Sequence, residues 1–175
     1  MLGTAYVLFN HDEEALLELN RAHELDRDDP EILFNLGGVY LLKDMYESAA
    51  DAFEKAIKID PTDTTSYANL AAAYGMLKIY DKEISALKKV LMFEPENKEL
   101  RAALSNAYFN SDRFEEAIDA AICVVEIDEK DTQAYCNLGS CYAAQNMIDE
   151  AIKTFNKASE LAPDYSLPHT NLGTL

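Results

Sequence analysis

The most regular feature of the chain is a pattern of apolar and small residues that returns every 34 residues. Each period carries a leucine, a small residue directly after it and, in most periods, a tyrosine, as in Leu36, Gly37 and Tyr40. Apolar positions three, four and seven apart predict two amphipathic helices per period, with a break near Lys43–Met45. Because one helix pair cannot bury its apolar stripe alone, a repeat of this length predicts a stack of pairs. The leucine position is held by Leu2, Leu36, Leu70, Leu104, Leu138 and Leu172.

Acidic residues and prolines mark the ends of the predicted helices. Asp29 is placed to cap a helix that begins at Pro30, and Pro61 cannot continue the helix before it. We therefore predict a single array over residues 1–175. Its units are a partial unit at 1–29, full units at 30–63, 64–97, 98–131 and 132–165, and a partial unit at 166–175.

The second and fifth units carry a set of residues that resembles the tetratricopeptide repeat. Eight positions recur together, which makes the resemblance specific. It implies an all-α fold, a right-handed α-α superhelix (solenoid) of antiparallel helix pairs with about five units, whose first helices line a concave groove. The two sets are Leu33, Leu36, Gly37, Tyr40, Ala49, Phe53, Ala56 and Pro61, and Tyr135, Leu138, Gly139, Tyr142, Ala151, Phe155, Ala158 and Pro163.

Two units depart from the family pattern. The third has Glu83 where the family has a small alanine between the helices. The fourth is the most irregular: Arg101 replaces a large apolar residue, Ala121 an aromatic residue and Glu129 the terminal proline. The sequence alone offers no physical reason for the irregular fourth unit.

Charge and composition narrow the class of partner. The net charge is −17, which argues against nucleic acid and anionic membrane surfaces and favours a neutral or basic protein or peptide. No apolar run approaches the roughly 18 residues of a membrane span. The cysteines Cys123, Cys136 and Cys141 have no CxxC spacing, so we expect reduced thiols in a cytoplasmic protein.

The sequence offers no constellation for catalysis. The histidines His11, His23 and His169 fall at different positions of the repeat, and no His/Cys/Asp group has the spacing of metal ligands. The glycines recur at helix-packing positions instead of forming a phosphate-binding loop. We therefore expect no enzyme active site, no metal and no cofactor.

Because the resemblance places a groove on the first helices, their outward positions are candidates for ligand binding. One position holds asparagine in four units, and an amide both donates and accepts hydrogen bonds. Such a series could bond the backbone of an extended peptide, similar to the asparagine ladder in O-linked N-acetylglucosamine transferases and nuclear import receptors. The alternative is that these amides bond locally within the repeat stack. The asparagines are Asn35, Asn69, Asn137 and Asn171.

Apolar and small residues flank these asparagines and are candidate contacts for apolar groups of a ligand. A clamp for a C-terminal carboxylate, as in cochaperones of the heat-shock chaperones, is not expected. Phe34, Thr65, Ala68 and Glu99 stand where that clamp has cations. The flanking candidates are Phe34, Gly38, Leu41, Leu42, Ala72, Met76, Asn106 and Phe109.

These features favour a non-catalytic protein–protein interaction scaffold that binds a peptide segment of a partner in its groove. The alternative is a targeting or substrate-recognition module of a larger enzyme, such as a glycosyltransferase, with catalysis outside this chain. The incomplete last unit would leave Leu172 and Leu175 partly uncovered. We therefore expect either a fragment of a longer array or self-association through uncovered ends.

Overall fold

The structure is a computed structural model that describes residues 12–164 and Pro168. The chain divides into two compact units, Met1–Phe93 and Glu94–Leu175. These are called unit 1 and unit 2 below, whereas the 34-residue repeat units keep their ordinal numbers, such as the fourth unit. The prediction of a single array over 1–175 stays a prediction. Residues 1–11 of the first partial repeat unit and the leucines of the last partial repeat unit lie outside the described residues.

Every regular element in the described ranges is an α-helix, as the repeat pattern predicts. Unit 1 contains α1 (Asp12–Leu25), α2 (Pro30–Leu42), α3 (Tyr46–Ile59), α4 (Thr64–Met76) and α5 (Tyr80–Leu91). Unit 2 contains α6 (Lys98–Asn110), α7 (Phe114–Ile127), α8 (Thr132–Ala144) and α9 (Ile148–Leu161). Within each unit, helices joined by short turns pack against each other as pairs, α2 with α3, α4 with α5, α6 with α7 and α8 with α9.

A side-chain cap begins the first helix of each pair. The carboxylate of Asp29 accepts a hydrogen bond of 2.8 Å from the backbone N–H of Glu31. The same position holds Asp63, Asn97 and Asp131, and each accepts a backbone N–H from the helix that follows. These caps satisfy donors that an α-helix leaves without a partner at its start.

A tight turn with a left-handed residue joins the two helices of each pair. In α2–α3 this residue is Asp44, with φ of 56°, and the next residue, Met45, donates its N–H to the carbonyl of Tyr40 at 2.9 Å. That bond and the left-handed residue form a Schellman-type helix end. Equivalent left-handed residues are Lys78, Asp112 and Asn146.

The leucines of the repeat are buried between the helices, as predicted. Leu36 and Leu70 lie in unit 1, Leu104 and Leu138 in unit 2, and all four are less than 9% exposed. The tyrosine position adds a polar link between helix pairs in unit 1. The Tyr74 hydroxyl donates to the Glu54 carboxylate, and Lys82 Nζ lies 3.0 Å from the same hydroxyl.

The closest contact within a pair joins a glycine of the first helix to an aromatic ring of the second. A Cβ added to Gly37 would lie 2.6 Å from Cε1 of Phe53, and one added to Gly139 would lie 2.6 Å from Cε1 of Phe155. Both rings are almost completely buried. These two positions therefore need a residue without a Cβ.

The same contact accounts for one departure of the fourth repeat unit, Ala121. Where the second helix has Ala121 in place of the aromatic residue, the first helix has Ser105 in place of glycine. The Ser105 hydroxyl donates to the carbonyl of Ala117 at 2.9 Å. Ser105 and Ala121 line a space of only about 10 Å³, together with other residues of α6, α7 and α8. The third unit has an intermediate combination, Ala71 with Leu87.

Glu83, which departs from the family pattern in the third repeat unit, faces a glycine, Gly75, on the other helix of its pair. The carboxylate lies against Gly75, where an added Cβ would be 2.9 Å from Glu83 Oε1. Partial burial raises the pKa of Glu83 above its usual value. A glycine on the facing helix thus provides the space that a side chain larger than alanine requires.

The glycine–ring contact predicts opposite effects for two adjacent substitutions in α2. Gly37→Ala should lower the free energy of unfolding by about 1–3 kcal/mol, because the new methyl group would collide with Phe53. Gly38→Ala is the matched control, since an added Cβ there has no atom within 4 Å. Alanine should raise helix stability at Gly38 by up to about 1 kcal/mol. Urea unfolding followed by circular dichroism measures both values, and equal effects would contradict the assignment.

In unit 2, Ser105 and Ala121 should depend on each other. Ala121→Phe alone should be destabilising, because the small space beside Ser105 cannot hold a ring. Adding Ser105→Gly should recover part of that loss, giving a coupling free energy of about 0.5–3 kcal/mol in a double-mutant cycle. Urea unfolding of the two single variants and the double variant measures it, and strictly additive effects would refute the complementarity.

Candidate functional site

The predicted groove residues of unit 1 lie mainly on faces of α2 and α4 that point away from the paired helices. These two first helices contact each other. At the ends of this surface, Leu42 is 59% exposed and Met76 is 58% exposed. Gly38 has open space around it and Ala72 is exposed. We call this surface, with Asn35 and Asn69, the unit 1 groove face.

Two predicted ligand contacts, Phe34 and Leu41, also belong to the core of unit 1. Both are half-buried and pack against a buried cluster that contains Phe53. The ring of Phe34 meets that of Phe53 edge-on, with centroids 5.9 Å apart and an interplanar angle of 61°. Phe34 is therefore held in place by the core while part of it remains accessible.

The asparagines differ in their hydrogen bonding. Asn35 and Asn69 are half-buried, and neither side chain has a hydrogen-bond partner within the described ranges. In unit 2, Asn137 Oδ1 accepts a bond of 2.9 Å from Nε2 of Gln133, one helical turn earlier. The local-bonding alternative thus applies to Asn137. Asn171 lies outside the described residues.

The corresponding surface of unit 2 has a different character. Asn106 is exposed, and Phe109 is half-buried. The ring of Phe109 packs edge-on against Phe114, with centroids 5.5 Å apart. Exposed apolar side chains comparable to Leu42 and Met76 do not occur at these positions, because Asn110 and Ala144 replace them. The unit 1 groove face is therefore the better candidate for apolar contacts.

A pocket lies beside the groove face at the start of α2 and α4, and sequence reasoning missed it. Its volume is about 430 Å³. Within the helices α2 and α4 themselves, Glu31 is the only charged residue. The other charged residues of the pocket lie in the segment before α4. We call this site the Phe34 pocket; its lining residues are Pro30, Glu31, Phe34, Asp60, Asp63 and Thr65.

Two aspartates of the Phe34 pocket are fixed by neighbouring groups. Asp60 accepts hydrogen bonds from the hydroxyl of Thr62 at 2.6 Å and from its N–H at 2.9 Å, and these bonds lower the pKa of Asp60. Asp63 accepts the N–H of Thr65 at 3.0 Å and also the hydroxyl of Ser66. These hydrogen bonds hold both carboxylates in fixed orientations.

Unit 2 repeats this pair of aspartates 68 residues later as Asp128 and Asp131. There, Lys98 Nζ lies 2.9 Å from Asp128 Oδ2 and 3.0 Å from Asp131 Oδ2. Hydrogen bonds from Lys98 and from the N–H of Lys130 lower the pKa of Asp128. Hydrogen bonds to both aspartates raise the pKa of Lys98. The recurrence of two aspartates at the same spacing was the sequence signal for both sites.

Other chemistry is sparse in the described part of the chain. Cys136 and Cys141 are buried free thiols whose pKa is raised by burial, and Cys123 is a half-buried free thiol. No group of three or more metal-ligating side chains occurs among the residues described. No helix in the described ranges is long and apolar enough to cross a bilayer.

Three family models match the chain. A tetratricopeptide repeat model matches residues 30–63 and 132–165, a TPR repeat model matches 3–44, and another tetratricopeptide repeat model matches 52–84. No curated protein matches the chain significantly. The matched ranges include the second and fifth units, whose residues carry the family pattern, and omit the irregular 98–131.

Solved structures share the fold of this chain. The crystal structure of YrrB, described as a TPR protein with an unusual peptide-binding site, is 25% identical, with a TM-score of 0.90 over 99% of this chain and 89% of YrrB. A crystal structure of MamA is 23% identical, with a TM-score of 0.85 over 92% of this chain and 94% of MamA. MamA from Desulfovibrio magneticus RS-1 is also 23% identical, with a TM-score of 0.83 over 91% and 90% of the two chains. The chain belongs to the tetratricopeptide repeat family.

Proposed function

We propose that this protein is a non-catalytic interaction scaffold that binds an extended peptide segment of a partner along the unit 1 groove face. The observation that carries the proposal is the pair of amides on Asn35 and Asn69. Neither has a hydrogen-bond partner in the described part of the chain, and each lies on a helix that ends at an exposed apolar side chain, Leu42 or Met76. Such amides are available to a ligand without the loss of an existing bond.

An extended peptide supplies the groups that this surface lacks. Its backbone offers N–H and C=O groups in alternation, and an asparagine amide can donate to one and accept from the other. The small residues Gly38 and Ala72 leave room for a backbone to approach. Leu42 and Met76 can contact apolar side chains of the ligand, which supply the hydrophobic part of the binding free energy.

The net charge of −17 supports a neutral or basic partner, because an acidic segment would be repelled. The family comparison supports peptide binding as the mode. YrrB, which shares the fold at 25% identity, is described as having a peptide-binding site.

Selection from a phage-displayed library of random dodecapeptides, followed by synthesis of the strongest sequence, gives a ligand for the test. Its affinity is measured by fluorescence anisotropy with a labelled peptide. Asn69→Ala should weaken binding by about 0.5–1.5 kcal/mol, the net contribution of one hydrogen bond. Asn35→Ala should have an effect of the same sign and size.

The matched control is Asn156→Ala, which removes an exposed asparagine from α9, the second helix of a pair. It should leave the affinity unchanged. The proposal fails if the library yields no binding sequence. It also fails if Asn35→Ala and Asn69→Ala both bind the selected peptide as tightly as the unaltered protein does.

A further inference from the structure

Aspartates recur at this spacing three times, and the pair Asp26 and Asp29 precedes α2. The other two pairs are alike in position and unlike in what they bind. Asp60 and Asp63 precede α4, and Asp128 and Asp131 precede α8 at the corresponding positions. In unit 2 the ammonium group of Lys98 lies 2.9 and 3.0 Å from the second pair. The protein itself thus shows that this arrangement of carboxylates binds a basic side chain.

Unit 1 lacks the corresponding cation. The position of Lys98, the first residue of its helix, is occupied in α2 by Pro30. No lysine, arginine or histidine of the described ranges lies within ion-pair distance of Asp60 or Asp63. Instead of a bound ammonium group, the structure has the Phe34 pocket of about 430 Å³.

The pocket contains two further groups that favour a cation. Phe34 takes the position that Ala102 holds in unit 2, so that an aromatic ring replaces a methyl group. The face of an aromatic ring attracts arginine and lysine side chains. Glu31 adds a third carboxylate to the lining and has no ion-pair partner in the described residues.

We propose that the Phe34 pocket binds an arginine or lysine side chain of the peptide held on the unit 1 groove face, in the place that Lys98 occupies in unit 2. This inference rests on the proposed function, because the basic residue is part of the bound peptide. Arginine fits best, since its planar group stacks on a ring and also pairs with carboxylates.

The location of the pocket also sets the order of groups in the ligand. Phe34 lies near the start of α2 and the exposed Leu42 at its end. Eight residues of helix separate them, which corresponds to about 12 Å. The ligand therefore carries its basic residue and an apolar residue at about this separation, with backbone bonds to Asn35 and Asn69 between.

The pocket is tested directly with two short probes that differ only in charge, acetyl-Gly-Arg-Gly-amide and its citrulline twin. NMR of the full chain follows the Phe34 ring and the backbone N–H of Thr65. At equal concentration the arginine probe should shift these signals about threefold more than the citrulline probe. A lysine probe and its acetyllysine twin should differ in the same sense.

Three variants locate the effect. Pro30→Lys places a lysine at the position of Lys98 and should abolish the response to arginine, whereas Pro30→Gln removes the proline without a charge and should keep it. Phe34→Leu should weaken arginine binding about twofold to fivefold. Circular dichroism confirms that each variant retains its helices, so that loss of binding is separated from loss of folding.

The inference is overturned if arginine and citrulline probes shift the Phe34 pocket equally, or if Pro30→Lys responds as the unaltered protein does. It is also overturned if the shifts fall only on other acidic surfaces.

The experiments distinguish failure of the pocket proposal from failure of the groove proposal. If a selected peptide depends on Asn69 but binds equally with citrulline for each arginine and acetyllysine for each lysine, only the pocket is wrong. If the probes bind as expected and the library yields no peptide, only the groove proposal is wrong.

Discussion

The contact between Gly37 and the ring of Phe53 fixes how closely the two helices of a pair approach, and the remaining packing depends on it. The ring fills the space that a side chain at Gly37 would take, as the distance of 2.6 Å to an added Cβ shows. Close packing allows the leucines on both sides to be buried. Phe53 also packs edge-on with Phe34, so that one residue of the Phe34 pocket contacts the core.

The irregular repeat units fill this contact with other residues. Ala71 with Leu87 keeps nearly the combined side-chain volume of glycine with phenylalanine, whereas Ser105 with Ala121 is a smaller pair. The Ser105 hydroxyl donates to the carbonyl of Ala117, so that this polar group is satisfied within the helix pair. A substitution at one of the two contact positions is thus accompanied by a substitution at the other.

Periodicity predicted the helices and the buried leucines because both depend on residues that are close in the chain and repeat in phase. The periodicity did not predict that Ser105 and Ala121 are linked, because each residue alone is only a departure from the family pattern. Of the predicted groove residues, Leu42 and Met76 are exposed. The core role of Phe34 could not be predicted, because an outward position on a helix does not show that a ring also reaches its neighbour. The Phe34 pocket was missed because it combines the start of one helix with a turn some 30 residues later.

The distribution of charge gives this surface two separate chemistries. The first helices of unit 1 carry one charged residue, so the acidic character is concentrated at their starts and in the preceding turns. Acidic groups there are compatible with the helix dipole and stabilise the fold without a ligand. The fold therefore tolerates uncompensated carboxylates at the Phe34 pocket, whereas unit 2 neutralises the corresponding pair with Lys98. Under the binding mode proposed above, a ligand that brings its own cation gains an electrostatic contribution in unit 1, where the carboxylates have no lysine of the described residues beside them, and not in unit 2.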